Sequence, residues 1–142
     1  MRSRASLRLR LALGLVVAAL SGCAARPPLR VTAADVKAPI TLEKGQDLYV
    51  SLQANRTTGY GWEWVAKPDA LVTLMGEPTY AASAAPAPGV PAASGGLVGV
   101  GGSETFWFRA KAKGKQKLRF LYRRPQTDER PIDVRVLELV VQ

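Results

Sequence analysis

The chain has 142 residues, with 20 Lys plus Arg against 11 Asp plus Glu, a single cysteine and no histidine. With 47% hydrophobic and 22% charged residues it has the make-up of a folded domain, and its length suits one domain rather than two. A Ser-His-Asp triad, a Cys-His dyad, a histidine or multi-cysteine metal site and an intramolecular disulfide are all excluded within it, so no metal or cofactor is expected.

Residues 1–22 carry Arg2, Arg4, Arg8 and Arg10, no acid, and an apolar run over 11–20. This is a basic segment followed by an apolar one of secretory length, too short for a permanent membrane span. The run ends in Leu20-Ser21-Gly22-Cys23, which resembles a bacterial lipobox. The resemblance implies that Cys23 becomes an acylated first residue, that a lipid bilayer is a partner, and that the protein sits in the bacterial cell envelope. Ala24, rather than Asp, implies the outer membrane of a Gram-negative cell. The competing reading is an ordinary signal peptide cut near Ala24-Ala25, leaving a free thiol. Without the leader the charge falls from +9 to 16 basic against 11 acidic residues, which weakens any nucleic-acid reading. Residues 23–36, with Arg26-Pro27-Pro28, read as an extended tether. Residues 37–142 form the expected domain.

Within the domain the first clear strand has Leu48, Val50 and Leu52 on one face and Tyr49, Ser51 and Gln53 on the other. Asn55-Arg56-Thr57-Thr58-Gly59 follows as a turn, since Asn and Gly accept unusual backbone angles and threonine hydroxyls satisfy local amides. Tyr60, Trp62 and Trp64 then share a face. Residues 81–102 are almost all Ala, Pro, Gly, Ser and Val, a long connection. It closes on Gly99-Val100-Gly101-Gly102, which lacks the lysine and helix of a phosphate loop but lets the backbone lie close to another molecule.

Phe106 and Phe108 alternate with Trp107 and Arg109; Leu118, Phe120 and Tyr122 alternate with Lys117, Arg119 and Arg123. Seven basic residues (Lys111, Lys113, Lys115, Lys117, Arg119, Arg123 and Arg124) read as a solvated strand face, with attraction to anionic headgroups as the additional reading. Interleaved exposed aromatics for nucleic acid are missing. After a polar turn around Pro125, Ile132, Val134 and Val136 alternate, and the phase slips to Leu137, Leu139 and Val141. That slip predicts a bulge or a strand buried on both faces. Period 2 in five places, with turn residues between, predicts an all-β domain, an antiparallel two-sheet sandwich.

Taken in order, Asn55-Arg56-Thr57-Thr58-Gly59-Tyr60-Gly61-Trp62, Gly99-Val100-Gly101-Gly102 and Tyr122-Arg123-Arg124-Pro125-Gln126 resemble the three loops of the chagasin-type inhibitors of papain-like cysteine proteases. That family shows Asn-Pro-Thr-Thr-Gly-Tyr/Phe, Gly-x-Gly-Gly and Arg-Pro-Trp/Phe. The match covers about residues 37–142. It implies an immunoglobulin-like β-sandwich with the loops clustered at one end, no catalysis, and reversible competitive plugging of a papain-like protease. The first loop (Asn55, Arg56, Thr57, Thr58, Gly59) would enter the cleft. Gly99, Gly101 and Gly102, and Arg124, Pro125 and Gln126, would grip its sides. Tyr60 and Trp62 are expected to anchor the loop in the core.

Two residues depart from the pattern. Arg56 stands where the family has proline, and Gln126 where it has an aromatic, which implies weaker or differently selective inhibition. Trp107, outward on its strand, offers a substitute aromatic or merely sheet packing. The alternative function is an envelope adhesion or assembly lipoprotein using the same loops on a partner that is not a protease.

Overall fold

A computed structural model describes residues 26–83, 101–125 and 127–142. The expected leader, the acylation candidate Cys23, and the loop residues Gly99 and Gln126 lie outside them. The strands are β1 (Leu29–Thr32), β2 (Ile40–Leu42), β3 (Asp47–Ala54), β4 (Gly61–Trp64), β5 (Val72–Leu74), β6 (Thr79–Ala82), β7 (Gly102–Ala110), β8 (Gly114–Arg123) and β9 (Asp133–Val141). One 3-10 turn, Arg56–Thr58, joins β3 to β4.

The alternating apolar residues decide how these strands pack. One sheet runs β1-β3-β7-β5, with β6 also on β7; the other runs β2-β9-β8-β4. Leu48, Val50 and Leu52 of β3 and Phe106 and Phe108 of β7 face Leu118 and Phe120 of β8 and Leu137, Leu139 and Val141 of β9, all nearly sealed from water. The Phe106 and Phe120 rings meet edge-on at 5.1 Å, and Trp64 and Phe108 at 5.0 Å. Each such side chain adds roughly 1.5–3 kcal/mol on burial, so the core closes without a disulfide.

Four features differ from the sequence expectation. The stretch read as a tether contains β1, which pairs in parallel with β3 from Leu29↔Leu48 to Thr32↔Ser51. Four residues hold only two repeats of the strand period, and Pro27-Pro28 in front masks them. β2 likewise joins β9 in parallel, so two outer pairs of the sandwich are not antiparallel. The long connection is trimmed at both ends, since Ala81 and Ala82 belong to β6 and Gly102 to β7. Lastly, β9 has no bulge and is not buried on both faces. Its register with β8 runs unbroken from Gly114↔Val141 to Tyr122↔Asp133. Val134 and Val136 face water, 38% and 50% exposed, while Leu137, Leu139 and Val141 fill the opposite, inner face. The apparent slip is two apolar sets on opposite faces of one regular strand.

The strand directions give the sandwich two distinct ends. The 3-10 turn, the start of β7 and the end of β8 lie at one. The turns at 43–46 and 111–113, the loop at 65–71 and the C-terminal residue lie at the other. There Gly45 N–H donates to the Ala110 carbonyl, Lys111 N–H to Leu71 and Lys44 N–H to Gln142.

Near that second end, Arg109 donates to both oxygens of Asp47, at 2.7 and 3.1 Å. These hydrogen bonds hold the Asp47 carboxyl below its usual range. A depressed folded-state pKa adds stability that is present above the unfolded value and lost as pH falls through the folded one. Below about pH 4, therefore, the wild-type chain loses melting temperature faster than Asp47→Asn does, and parallel acid titrations of the two melting curves check this. The pair is solvent-exposed, so the gap between the curves is small.

Candidate functional site

The loop after β3 closes on itself before it touches anything else. Asn55 is extended (φ −131°, ψ 91°), and its side-chain oxygen accepts from Thr57 N–H at 3.2 Å and Thr57 Oγ1 at 2.6 Å. Thr58 Oγ1 donates to the Asn55 carbonyl at 2.6 Å, and Gly59 N–H to the Arg56 carbonyl at 3.0 Å. Gly59 is left-handed (φ 78°, ψ 6°), which turns the chain out of the 3-10 segment at little cost only for glycine. Residues 56–59 are all exposed. Both threonine hydroxyls are thus spent on the loop's own geometry.

Aromatic side chains fix the base of this tip. Trp62 is buried and its indole N–H donates to the Gln53 carbonyl at 2.8 Å, tying together the two stems of the loop. Tyr122 Oη accepts from Asn55 N–H at 2.9 Å, and its ring packs on Trp62 at 4.9 Å and Tyr60 at 5.8 Å. Tyr60 and Trp62 anchor the loop, as expected from the sequence.

Arg56 is held by a residue that sequence reasoning passed over. Glu104 of β7 is 3% exposed, and its carboxylate pairs with the Arg56 guanidinium. The Arg56 Nε–H contact is 3.1 Å, and the second carboxylate oxygen accepts Trp62 N–H at 2.7 Å. The guanidinium also lies 5.1 Å from the Tyr80 ring centre. A buried carboxylate is tolerated when its oxygens are all bonded, and this one binds both the tip and the base of the loop. The signal was visible: Glu104 has the same strand phase as Phe106 and Phe108, and an acid on an apolar face calls for a partner.

The backbone at position 56 remains suited to proline. The preceding residue is extended, and Arg56 N–H donates no hydrogen bond among the described residues. Arginine therefore keeps the turn and adds a side-chain latch to β7.

The other two segments stand beside this tip. Gly102 opposes Ala54 on one side and Ala82 on the other. It is buried, and a Cβ there would collide with the Ala81 carbonyl and the Tyr80 ring. The close approach that Gly102 permits is thus to the chain itself, whereas a Cβ added at the half-buried Gly101 would meet only the Ala54 carbonyl, at 3.8 Å, among the described residues. The Gly101 carbonyl accepts from Ser83 N–H at 2.8 Å. Arg124 and Pro125 are exposed, with the Arg124 guanidinium 5.1 Å from the Tyr60 ring centre and 3.5 Å from Glu129. An open depression of about 530 Å³ runs between the first and third segments, lined by Gly59, Tyr60, Trp64, Glu104 and Pro125 among others.

Asn55, Arg56, Thr57, Thr58, Gly59, Gly101, Gly102, Arg124 and Pro125 therefore gather at one end. Trp107 does not join them. It stacks on Tyr49 at 5.8 Å in the middle of the sheet, so it serves packing and cannot stand in for a third-loop aromatic.

The sequence pattern described as chagasin family peptidase inhibitor I42 matches residues 41–139. Among solved structures, the chain is similar to a cysteine protease inhibitor, EhICP2, from Entamoeba histolytica, with a TM-score of 0.61 and 18% identity over 82% of this chain and 96% of that one. It is also similar to amebosin, solved in solution, with a TM-score of 0.59 and 24% identity over 82% of this chain and all of that one. These likenesses are of fold, and they agree with the immunoglobulin-like sandwich expected from the sequence. No curated protein matches the chain in sequence.

Proposed function

The chain belongs to the chagasin family of peptidase inhibitors, and we propose that it blocks papain-like cysteine proteases by wedging its three-loop end into the catalytic cleft. It is an inhibitor and not an enzyme. The observation that carries this reading is the exposed Thr57-Thr58 tip, closed by its own hydrogen bonds and latched at both ends to the sandwich. A loop ordered in advance loses little conformational entropy on docking, so more of its contact energy becomes affinity.

The tip also explains why a protease would not cut it. Cysteine proteases hold substrates extended, pairing with the peptide backbone. The 3-10 turn at Arg56–Thr58 commits its backbone to internal bonds instead. Thr57 and Thr58 would then lie against the catalytic thiolate without a scissile bond in attack geometry. Gly101 would allow main-chain contact on one flank, and Arg124-Pro125 a stiff rim contact on the other. The family match removes the ground for an adhesion or assembly role.

Steady-state kinetics with papain tests the reading. Residues 26–142 should raise the apparent KM of a peptide substrate without changing kcat, and activity should return on dilution. Full activity at micromolar protein, with papain and several relatives, would overturn it.

The proposal extends to location. Cys23 becomes the acylated first residue and holds the inhibitor in the bacterial envelope, with Ala24 directing it to the outer membrane. A cysteine after an apolar run and small residues supports this, and each acyl methylene buried contributes ~0.8 kcal/mol. Wild-type protein expressed in a Gram-negative cell should incorporate labelled fatty acid, and Cys23→Ser should not. Equal labelling of the two, or none in the wild type, would refute the anchor.

A further inference from the structure

The end of the sandwich opposite the inhibitory loops has a charge of its own. Arg26, Lys44, Lys67, Lys111, Lys113 and Lys115 are exposed there, with Glu43 and Asp69 as the acids not already bound to a local base other than Arg26. Six basic against two acidic residues place a net four positive charges at this end. The loop-bearing half has Arg56, Arg123, Arg124, Arg130 and Arg135 against Glu63, Glu77, Glu104, Asp128, Glu129 and Asp133, close to neutral, and Arg30, Lys37 and Arg119 against Asp35 add two positive charges elsewhere. Among the described residues, none of the five lysines forms an ion pair, whereas Lys117 is matched by Glu138 and Arg109 by Asp47. The larger part of the basic excess of residues 26–142 therefore lies at one pole.

The chain also enters the fold at that pole. Arg26 reaches Glu43 at 3.4 Å, and the Pro27 carbonyl accepts from the Gln46 side chain at 2.8 Å. These tie the first described residues to the turn between β2 and β3. The same turn bonds to Ala110, and Lys111 to Leu71. In sequence Arg26 is three residues from Cys23. Along the nine residues of β7 the two ends are roughly 27 Å apart, more than two Debye lengths at physiological salt.

We propose that the pole formed by Lys44, Lys67, Lys111, Lys113 and Lys115 is a docking surface for an anionic lipid bilayer, which stands the domain upright with its inhibitory loops facing away. Several lysines at one end act together, each near-surface charge multiplying binding about fivefold, and the attraction fades within a Debye length. An acyl chain at Cys23 and this basic pole would give two membrane signals at one end, the combination that makes anchoring stable. A molecule lying on its side would bring the loops to the headgroups and close them to a protease. The outward-facing loops rest on the inhibitor reading; the docking surface does not.

Vesicle flotation tests the surface with residues 26–142, which contain all nine strands of the described residues and lack Cys23. Binding should appear with phosphatidylcholine vesicles containing about one-third phosphatidylglycerol, be absent with pure phosphatidylcholine, and be lost at high salt. Lys111→Gln/Lys113→Gln/Lys115→Gln should lower partitioning at least about tenfold, while the arginine versions of the same three positions retain it. Arg119→Gln/Arg130→Gln/Arg135→Gln removes equal charge elsewhere and should leave binding nearly intact. Equal binding to neutral vesicles, or equal loss in both glutamine variants, would overturn the proposal. No protease enters these arms, so they stand or fall apart from the inhibitor reading. With vesicle-bound wild type, undiminished papain inhibition supports the upright orientation, and inhibition lost only on binding contradicts it.

Discussion

Thr57→Arg/Thr58→Arg abolishes inhibition of papain, raising the inhibition constant by about a thousandfold or more, while the melting temperature shifts by only a few degrees. The two effects separate because both side chains are exposed at the tip and neither contributes to the core. What the pair does support is local. Thr57 Oγ1 bonds the Asn55 side chain and Thr58 Oγ1 bonds the Asn55 carbonyl. Losing these loosens the tip but leaves the Trp62 and Tyr122 anchors in place. The arginines add bulk and two charges where a narrow cleft must close around the loop, and a charge buried there without a partner costs several kcal/mol. Inhibition kinetics beside thermal melting reads both quantities. A variant that melts normally and still inhibits would show that another part of the surface meets the protease.

Arg56→Pro lowers stability by roughly 2–3 kcal/mol, a fall of about 10 °C in melting temperature, although proline suits the backbone there. The loss comes from Glu104. With Arg56 gone, a carboxylate that is almost wholly buried keeps only the Trp62 N–H. Arg56 itself is 47% exposed, so the ion pair is weaker than a fully buried one, and the penalty lies on the stranded acid. Arg56→Pro/Glu104→Gln removes the charge while keeping an acceptor for Trp62 N–H, and recovers most of the loss. The coupling in this cycle should exceed ~1 kcal/mol, as befits residues in one network. If Arg56→Pro melts like the wild type, or the second change brings no recovery, the latch from the first loop to β7 does not hold the tip.

The five strands with clear alternation were legible because each buries one face against the opposite sheet. β3 and β7 place Leu48, Val50, Leu52, Phe106 and Phe108 where period 2 predicts. β1, β2, β5 and β6 were not legible. Each has only three or four residues and joins its sheet through a neighbour remote in sequence, so pairing rather than local pattern makes it a strand. In β9 the pattern misled, because exposed Val134 and Val136 mimic a core face that the other sheet does not cover.

The site was readable as a set of three motifs in order, and the fold brings the described parts of all three to one end. Their internal division of labour was not readable. Gly102 serves the packing of Tyr80, and Trp107 serves the middle of a sheet. Arg56, which looked like a defect beside the family's proline, is tied to Glu104, forty-eight residues away. Such a partnership depends on the register of β7 beside β3, which no local pattern carries.

Hydrogen–deuterium exchange of the domain, alone and bound to papain, tests the wedge most directly. Amides of Thr57, Thr58 and Gly59, those near Gly101, and those of Arg123 and Arg124 should become protected together, while Lys111 and Lys113 at the opposite pole exchange as before. Protection confined to the outer face of β8 and β9, or spread over the lysine pole with the Thr57-Thr58 tip unchanged, would contradict it.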